Sequence, residues 1–474
     1  MLAAEITPIA KVGGLGDVAG SLPQALYQLG ADIRLCLPFY GSIDTKKYKV
    51  KKVAGEITIA INGKKNQASV WQTFLPGTRI PVYLIKNIFF DCQEIYRGCK
   101  IMKNNRYVDD ANDLERFSFF MQASLEAVKK IGFKPDIIHL NDWHTALVPQ
   151  LIKSPENKIF FKNTKTIYTI HNLANQGITK ENILKFANLD SGSPLIKTDS
   201  ENGDINFMVQ GILGADAVTT VSPTYAKEIM TAQTGAGLEK ILKMRGNDLY
   251  GILNGVDTVF FNPLKDKLIK QNYSLKTLDK KVANKLFLQK KLGLPENKDI
   301  PMVGFIARFV WQKGIDLING TFSGLKCQFV FLGTGDKKYE DSLKALAKKY
   351  PSQFSAQIKF DARLAQEIYA GSDIFIIPSR FEPCGLTQMI AMRYGAVPVV
   401  RSTGGLADTV DESVGFVFKK FTSRALYVAI KKAVDGHRNK KKWRAMQVRG
   451  MKKNFSWESS AKKYLDIYKK LTNN

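Results

Sequence analysis

Short apolar runs recur along the chain, each followed by a stretch with helical spacing. Runs at 33–37, 82–85, 137–140, 166–170 and 217–221 occupy the first half, and runs at 302–306, 329–332, 374–377 and 397–400 the second. Within each run the apolarity is continuous rather than alternating, which predicts strands covered on both faces. Amphipathic helical patterns lie between them at 18–29, 114–129, 338–348 and 423–434. Such alternation of strand and helix predicts βαβ units and parallel sheets, an α/β fold.

The pattern breaks once. Residues 251–257, Gly-Ile-Leu-Asn-Gly-Val-Asp, and the following Asn262-Pro263 are turn signals, and a lysine-rich polar stretch runs from 265 to 281 before a fresh strand opens at Met302. The break predicts one α/β domain over 1–257 and a second over 263–455. In the tail, Trp457, Ala461, Tyr464, Leu465, Ile467 and Tyr468 recur at helical spacing. That spacing predicts a last helix within 456–474, packing back toward the first domain.

Composition adds limits. The chain has 474 residues, enough for two to four domains, and its 45% hydrophobic content lets each half form a core. The longest apolar runs, such as 373–378, are too short to cross a bilayer. Met1-Leu2-Ala3-Ala4-Glu5 offers neither a basic nor a long apolar leader. Five scattered cysteines include Cys92 and Cys99, with no second pair to complete a zinc site, so a reducing cytoplasm and no metal are expected. The net charge of +27 would suit an anionic partner. Lysines are abundant along the whole chain, however, and no basic block alternates with aromatics. No nucleic-acid or membrane partner is expected on that ground.

Candidate chemistry sits where apolar runs end. Lys11-Val12-Gly13-Gly14-Leu15-Gly16-Asp17 precedes a helical pattern. Paired glycines let backbone N–H groups approach an anion, and Lys11 adds a cation, so the loop reads either as a phosphate nest or as an ordinary strand–helix turn. It has a short echo in Gly404-Gly405-Leu406-Ala407-Asp408. Asp142-Trp143-His144 and His171-Asn172 follow two predicted strands, the position at which open α/β sheets bind ligands. Asp142, His144, His171 and Asn172 would offer donors and acceptors to sugar hydroxyls, whereas His139, inside its run, reads as a satisfied core residue. Arg308 and Lys313 form a basic pair near the end of the 302–306 run that could neutralise a leaving diphosphate, or simply be solvated. Pro378-Ser379-Arg380-Phe381-Glu382-Pro383-Cys384-Gly385-Leu386 follows another run and precedes a helix at 387–394. Glu382 could steady an oxocarbenium ion or cap that helix, and the Cys384–Leu386 amides could face a phosphate. Asp109, Asp110 and Asp113 read as a polar loop entering a helix.

Taken in order, these pieces resemble one family, the bacterial and plant-type glycogen/starch synthases. The resemblance runs from Ala3-Ala4-Glu5 to Phe455-Ser456-Trp457. Besides the motifs above it takes in residues 221–226, Val-Ser-Pro-Thr-Tyr-Ala, and 253–257, Leu-Asn-Gly-Val-Asp. It implies a GT-B architecture, two Rossmann-like domains facing across a deep cleft that closes before chemistry. It also implies transfer of glucose from ADP-glucose to the non-reducing 4-OH end of an α-1,4-glucan, with retention of configuration and no metal or other cofactor. By residue, the resemblance implies catalytic roles for Glu382, His171, Asp142, Arg308, Lys313 and Lys11. It implies donor contacts from Lys11, Gly13, Gly14, Asp17, Asn254, Phe360, Cys384, Gly385, Leu386 and Thr387. Phe360 stands where the family usually carries a tyrosine that stacks on adenine.

Three features depart from the family pattern. Only Met1-Leu2 precedes Ala3-Ala4-Glu5, so the first strand looks clipped. Ile390 stands where related glycosyltransferase families carry a second glutamate. The basicity is unusual. The rival readings are another GT-B glucosyltransferase, of the sucrose-synthase kind, and a non-catalytic glucan-binding relative.

Overall fold

A computed structural model describes residues 1–96, 101–103, 106–108 and 113–473, with the side chains of the two short middle pieces left aside. Cys99, Asp109 and Asp110 lie outside the described residues. The chain forms two compact units, one of 1–221, 226–255 and 457–474, the other of 222–225 and 256–456. The second unit takes residues 222–225 because Thr224 is bound there. Its N–H and hydroxyl donate to the two Asp408 carboxylate oxygens at 2.9 and 2.6 Å.

Unit 1 holds two four-stranded half-sheets. The first comprises β1 (Leu35–Pro38), β2 (Lys51–Ile61), β3 (Lys64–Phe74) and β4 (Pro81–Lys86) in the order β1-β4-β3-β2. The second comprises β5 (Ile137–Asn141), β6 (Lys165–Ile170), β7 (Ala217–Thr220) and β8 (Leu249–Gly251) in the order β8-β7-β6-β5, all parallel. Leu2 joins the halves through parallel bridges to Cys36 on β1 and Leu140 on β5. The segment that looked clipped is thus a minimal strand between β1 and β5.

The β2–β3 hairpin is the element that a search for continuous apolar runs passes over. Along residues 56–61 exposed and buried positions alternate, with Ile57, Ile59 and Ile61 inward. The strands turn at Asn62-Gly63, both at positive φ, the geometry that two-residue hairpins require. Helix α1 (Gly14–Gln28) buries Val18, Leu22, Ala25 and Leu26 against Trp457, Ala461, Tyr464 and Ile467 of the C-terminal helix, Trp457–Thr472. Helix α2 (Asp113–Lys130) covers the inner face of β2.

Unit 2 is a single parallel sheet of six strands: β9 (Met302–Ile306), β10 (Gln328–Gly333), β11 (Phe354–Ile358), β12 (Ile374–Ile377), β13 (Val397–Arg401) and β14 (Phe416–Phe418). Their order, β11-β10-β9-β12-β13-β14, is the doubly wound 3-2-1-4-5-6 arrangement, whose ligands bind beyond the strands' carboxyl ends. Its core carries phenylalanines 305, 309, 322, 329, 331 and 354. Among the described residues, no helix is long and apolar enough to cross a membrane.

Candidate active site

The chemistry-bearing residues of unit 1 gather at the glycine-rich loop and at the ends of β5 and β6. The loop is tethered from within. Both Val12 and Gly13 N–H groups donate to Glu5 Oε2 at 2.6 Å, and the Tyr96 hydroxyl donates to Glu5 Oε1 at 2.5 Å. The Gly13 N–H, expected to contact a donor, thus meets the buried Glu5 carboxylate. Gly14 opens α1 and stands exposed. Lys11 is also exposed and pairs with Asp17 at 2.6 Å.

Asp142 follows β5 with a left-handed backbone, φ 55°. Its carboxylate accepts the His171 N–H at 2.8 Å. Burial pushes the Asp142 carboxyl up to about 7, against the pull of hydrogen bonds from the His171 and Asn172 backbone. Burial likewise pushes the His171 imidazole down to about 3, leaving it neutral, with Nε2 2.9 Å from Asn141 Oδ1. His144 does not join a polar site. Its ring is buried among Trp143, Phe117 and Tyr96, with centroids 4.1, 4.6 and 5.2 Å away. His139 is a core residue, held between Tyr468 and Thr169 at 2.6 Å each. Asn254, also in unit 1, is buried, and its Oδ1 has no hydrogen-bond partner among the described residues.

In unit 2 two sequence motifs lock together. The Lys313 ammonium lies 2.7 Å from Glu382 Oε2, and the Ser379 hydroxyl donates to the same oxygen at 2.8 Å. Backbone contacts fix that pair. The Arg380 N–H donates to the Gln312 carbonyl at 2.9 Å, and the Gln312 amide donates to the Phe381 carbonyl at 3.2 Å. Gly314 has φ 70°, and a Cβ there would fall 2.2 Å from the Pro378 carbonyl oxygen, so only glycine allows the approach.

Glu382 does not cap a helix. The next helix, Thr387–Arg393, begins five residues later, and Glu382 is buried and charge-paired instead. Gln388 fastens the turn between them, its amide donating to the Cys384 and Gly385 carbonyls at 3.2 and 2.7 Å. Cys384 is buried, while Leu386 and Thr387 are half-buried. Ile390 belongs to the core. Arg308 stands exposed just past β9. Phe360, just past β11, is 92% exposed and leaves its ring open to a flat ligand.

The sequence pattern assigned no role to Glu5, Tyr96, Ser379 or Gln388, although Glu5 and Ser379 stand inside motifs it singled out. One signal was available for Glu5: an acid at the end of a short apolar segment, six residues before Lys11.

Comparison with known proteins decides the family. Residues 1–244 match the family model described as the starch synthase catalytic domain, and 286–447 match glycosyl transferases group 1. A glycogen synthase of Thermosipho africanus is 43% identical over 99% of this chain and 98% of its own. The chain belongs to the glycogen/starch synthase family. A second family member, the glycogen synthase of Geotalea daltonii, is 42% identical over 99% of this chain and 97% of its own. Among solved structures, the catalytic domain of starch synthase IV from Arabidopsis thaliana, bound to ADP and acarbose, matches with a TM-score of 0.89. It is 34% identical and covers 100% of this chain and 99% of that one. Sucrose-phosphate synthase from Thermosynechococcus elongatus shares the fold at a TM-score of 0.59 and 18% identity, over 99% of this chain and 96% of its own. Like its family, the chain is a glycosyltransferase of two α/β units with parallel sheets, the GT-B class.

Proposed function

We propose that this chain transfers glucose from ADP-glucose to the non-reducing 4-OH end of an α-1,4-glucan, with retention of configuration and without a metal. The observation that carries the reading is the cluster of Lys313, Glu382 and Ser379 beyond β9 and β12. Breaking a sugar–phosphate bond builds positive charge on the sugar and negative charge on the diphosphate. Fixed cations and a fixed carboxylate answer both needs without reorganising during the reaction.

In this reading Arg308 and Lys313 take the diphosphate's charge. Arg308 acts as a planar fork and Lys313 as a point charge. Phe360 stacks on the base, and the turn Cys384-Gly385-Leu386-Thr387 approaches the phosphates. Glu382, whose charge Lys313 balances, steadies the sugar's developing cation. In unit 1, neutral His171 and the Asp142 carboxyl hold sugar hydroxyls, a pairing fixed by the His171 N–H bond. Lys11, Gly14, Asp17 and Asn254 complete the donor contacts. The free Asn254 oxygen suits a hydroxyl donor. The ADP and acarbose carried by the starch synthase IV structure support a nucleoside diphosphate and a glucan-like sugar as the ligand classes. The relatives' enzyme class fits a cytoplasmic location.

The test is a donor competition on a glucan primer, with and without chelator. ADP-glucose should outcompete UDP-glucose, soluble sugars should fail as acceptors, and chelator should change nothing. Strict metal dependence, or transfer to fructose derivatives instead of glucan, would contradict the proposal.

A further inference from the structure

Lys313 and Glu382 belong to loops 69 residues apart, and the side chain of Arg380 reaches from one to the other. Its guanidinium carbon lies 4.5 Å from the ring centroid of Trp311 and 4.0 Å from that of Phe421. Its Nη2 donates to Asp316 Oδ2 at 2.5 Å. Trp311 precedes Lys313 by two residues and Asp316 follows it by three, so Arg380 holds the lysine's loop on both sides. Phe421 comes from a third segment, just before the helix Ser423–His437. Its ring packs against Gly314, where an added Cβ would stand 3.3 Å away. Arg401, the last residue of β13, donates to the Arg380 carbonyl from Nη1 and to the Lys419 carbonyl from Nε at 3.2 Å. Three separate segments of unit 2 thus converge on residue 380.

Stability alone does not call for this arrangement. The Arg380 and Asp316 side chains are 26% and 32% exposed, and an ion pair open to water contributes little to folding. Arg380 Nε is buried without a hydrogen-bond partner among the described residues, which lowers stability. What the contacts do supply is fixed geometry. A guanidinium is planar, so rings on its face and a carboxylate on its edge define its orientation. A lysine ammonium offers neither the plane nor the fork. Turnover depends steeply on such placement, since a shift of about 1 Å costs about a hundredfold.

We propose that Arg380 is a positioning residue for sugar transfer. It holds the Lys313 loop against the Glu382 turn and so sets the spacing of the cation and the carboxylate. Its own charge is engaged by Asp316 and the two rings, so it acts through Lys313 and Glu382 rather than on the substrate. The inference rests on the donor-side roles proposed for those two residues.

The experiment measures steady-state glucose transfer to a glucan primer. It compares the parent chain, Arg380→Lys, Arg380→Ala, Lys313→Ala and the double variant Arg380→Ala with Lys313→Ala, each with a melting curve. Arg380→Lys keeps a cation for Asp316 and loses the stacked plane. Its kcat should fall roughly tenfold or more, with KM for the primer within about twofold of the parent. Guanidinium, added far below denaturing concentrations, should restore part of the turnover of Arg380→Ala by filling the place beside Trp311 and Phe421. Ammonium at the same concentration should not. In the Lys313→Ala background, losing Arg380 should cost several-fold less than in the parent, because the spacing it sets no longer has both ends. Should Arg380→Ala fail to fold, Arg380→Lys, alone and with Lys313→Ala, carries the same comparison. Parent-like kcat in the folded Arg380 variants, with Lys313→Ala impaired, would overturn the proposal. Equal costs in the two backgrounds would overturn it too. So would a loss that guanidinium leaves untouched and that follows a lowered melting temperature, the mark of a purely structural role. Parent-like turnover in Lys313→Ala would overturn the donor-side reading, and this inference with it.

Discussion

In unit 1, Gly13-Gly14-Leu15-Gly16-Asp17 leads into α1. In unit 2, Gly404-Gly405-Leu406-Ala407-Asp408 opens the helix Gly404–Thr409. The two segments are near copies, and their surroundings put them to different uses. The first is tethered by a side chain: the Glu5 carboxylate takes the Val12 and Gly13 N–H groups, and Lys11 folds onto Asp17. The second is packed on backbone. The Gly405 N–H donates to the Glu382 carbonyl at 3.1 Å, and Asp408 binds Thr224. A Gly-Gly pair reads from sequence as a phosphate nest. Here the first pair's donor N–H serves an internal carboxylate, and the second pair braces the turn that presents Glu382. The main diphosphate-binding charges of the proposed mechanism are therefore the cations of unit 2, with Lys11, exposed beside Asp17, as a contributor from unit 1.

Replacing single glycines should separate the two loops most sharply. A Cβ on Gly405 would fall 1.9 Å from the Cys384 carbonyl oxygen, whereas a Cβ on Gly14 would meet nothing within 4 Å. Gly405→Ala should therefore cost about 3 kcal/mol or more and displace the Glu382 turn. Gly14→Ala should leave stability within about 0.5 kcal/mol. Chemical denaturation of both variants checks the pair, and equal costs would erase the distinction.

A smaller effect should come from Asp142. Its folded carboxyl titrates at about 7 against an ordinary value of 3.8, so between those values the folded state holds a proton that the unfolded state has lost. Stability should fall as pH rises from about 4 to about 7 and level off above, by on the order of 1–3 kcal/mol. Asp142→Asn should remove that slope while keeping an acceptor for the His171 N–H. Melting curves across the window test it, and an unchanged slope in the variant would assign the dependence elsewhere.

Much of this architecture is legible in the amino-acid pattern, for a physical reason. Strands covered on both faces, such as Ile374–Ile377, are apolar throughout and stand out from their polar flanks. The β2–β3 hairpin has one wet face, so its isoleucines alternate with polar residues and no continuous run marks it. The site divides in the same way. Lys313 and Glu382 each sit in a strand-end motif and are visible singly, but their pairing spans 69 residues and depends on how Gly314 meets Pro378. Glu5 stayed hidden because a carboxylate near a loop looks solvated until the fold buries it beneath Val12 and Gly13.

The claim that the cations of unit 2 hold the diphosphate, while the unit 1 loop is held by its own carboxylate, is tested most directly by the affinity for ADP. Calorimetric titration should compare the parent chain, Lys313→Ala and Glu5→Gln, with melting temperatures as controls. Lys313→Ala should bind ADP roughly tenfold or more weakly, the loss of one charge-assisted contact of about 1.5–3 kcal/mol. Glu5→Gln should bind ADP within about twofold of the parent. Parent-like affinity in a folded Lys313→Ala, with the loss appearing in Glu5→Gln instead, would contradict the account.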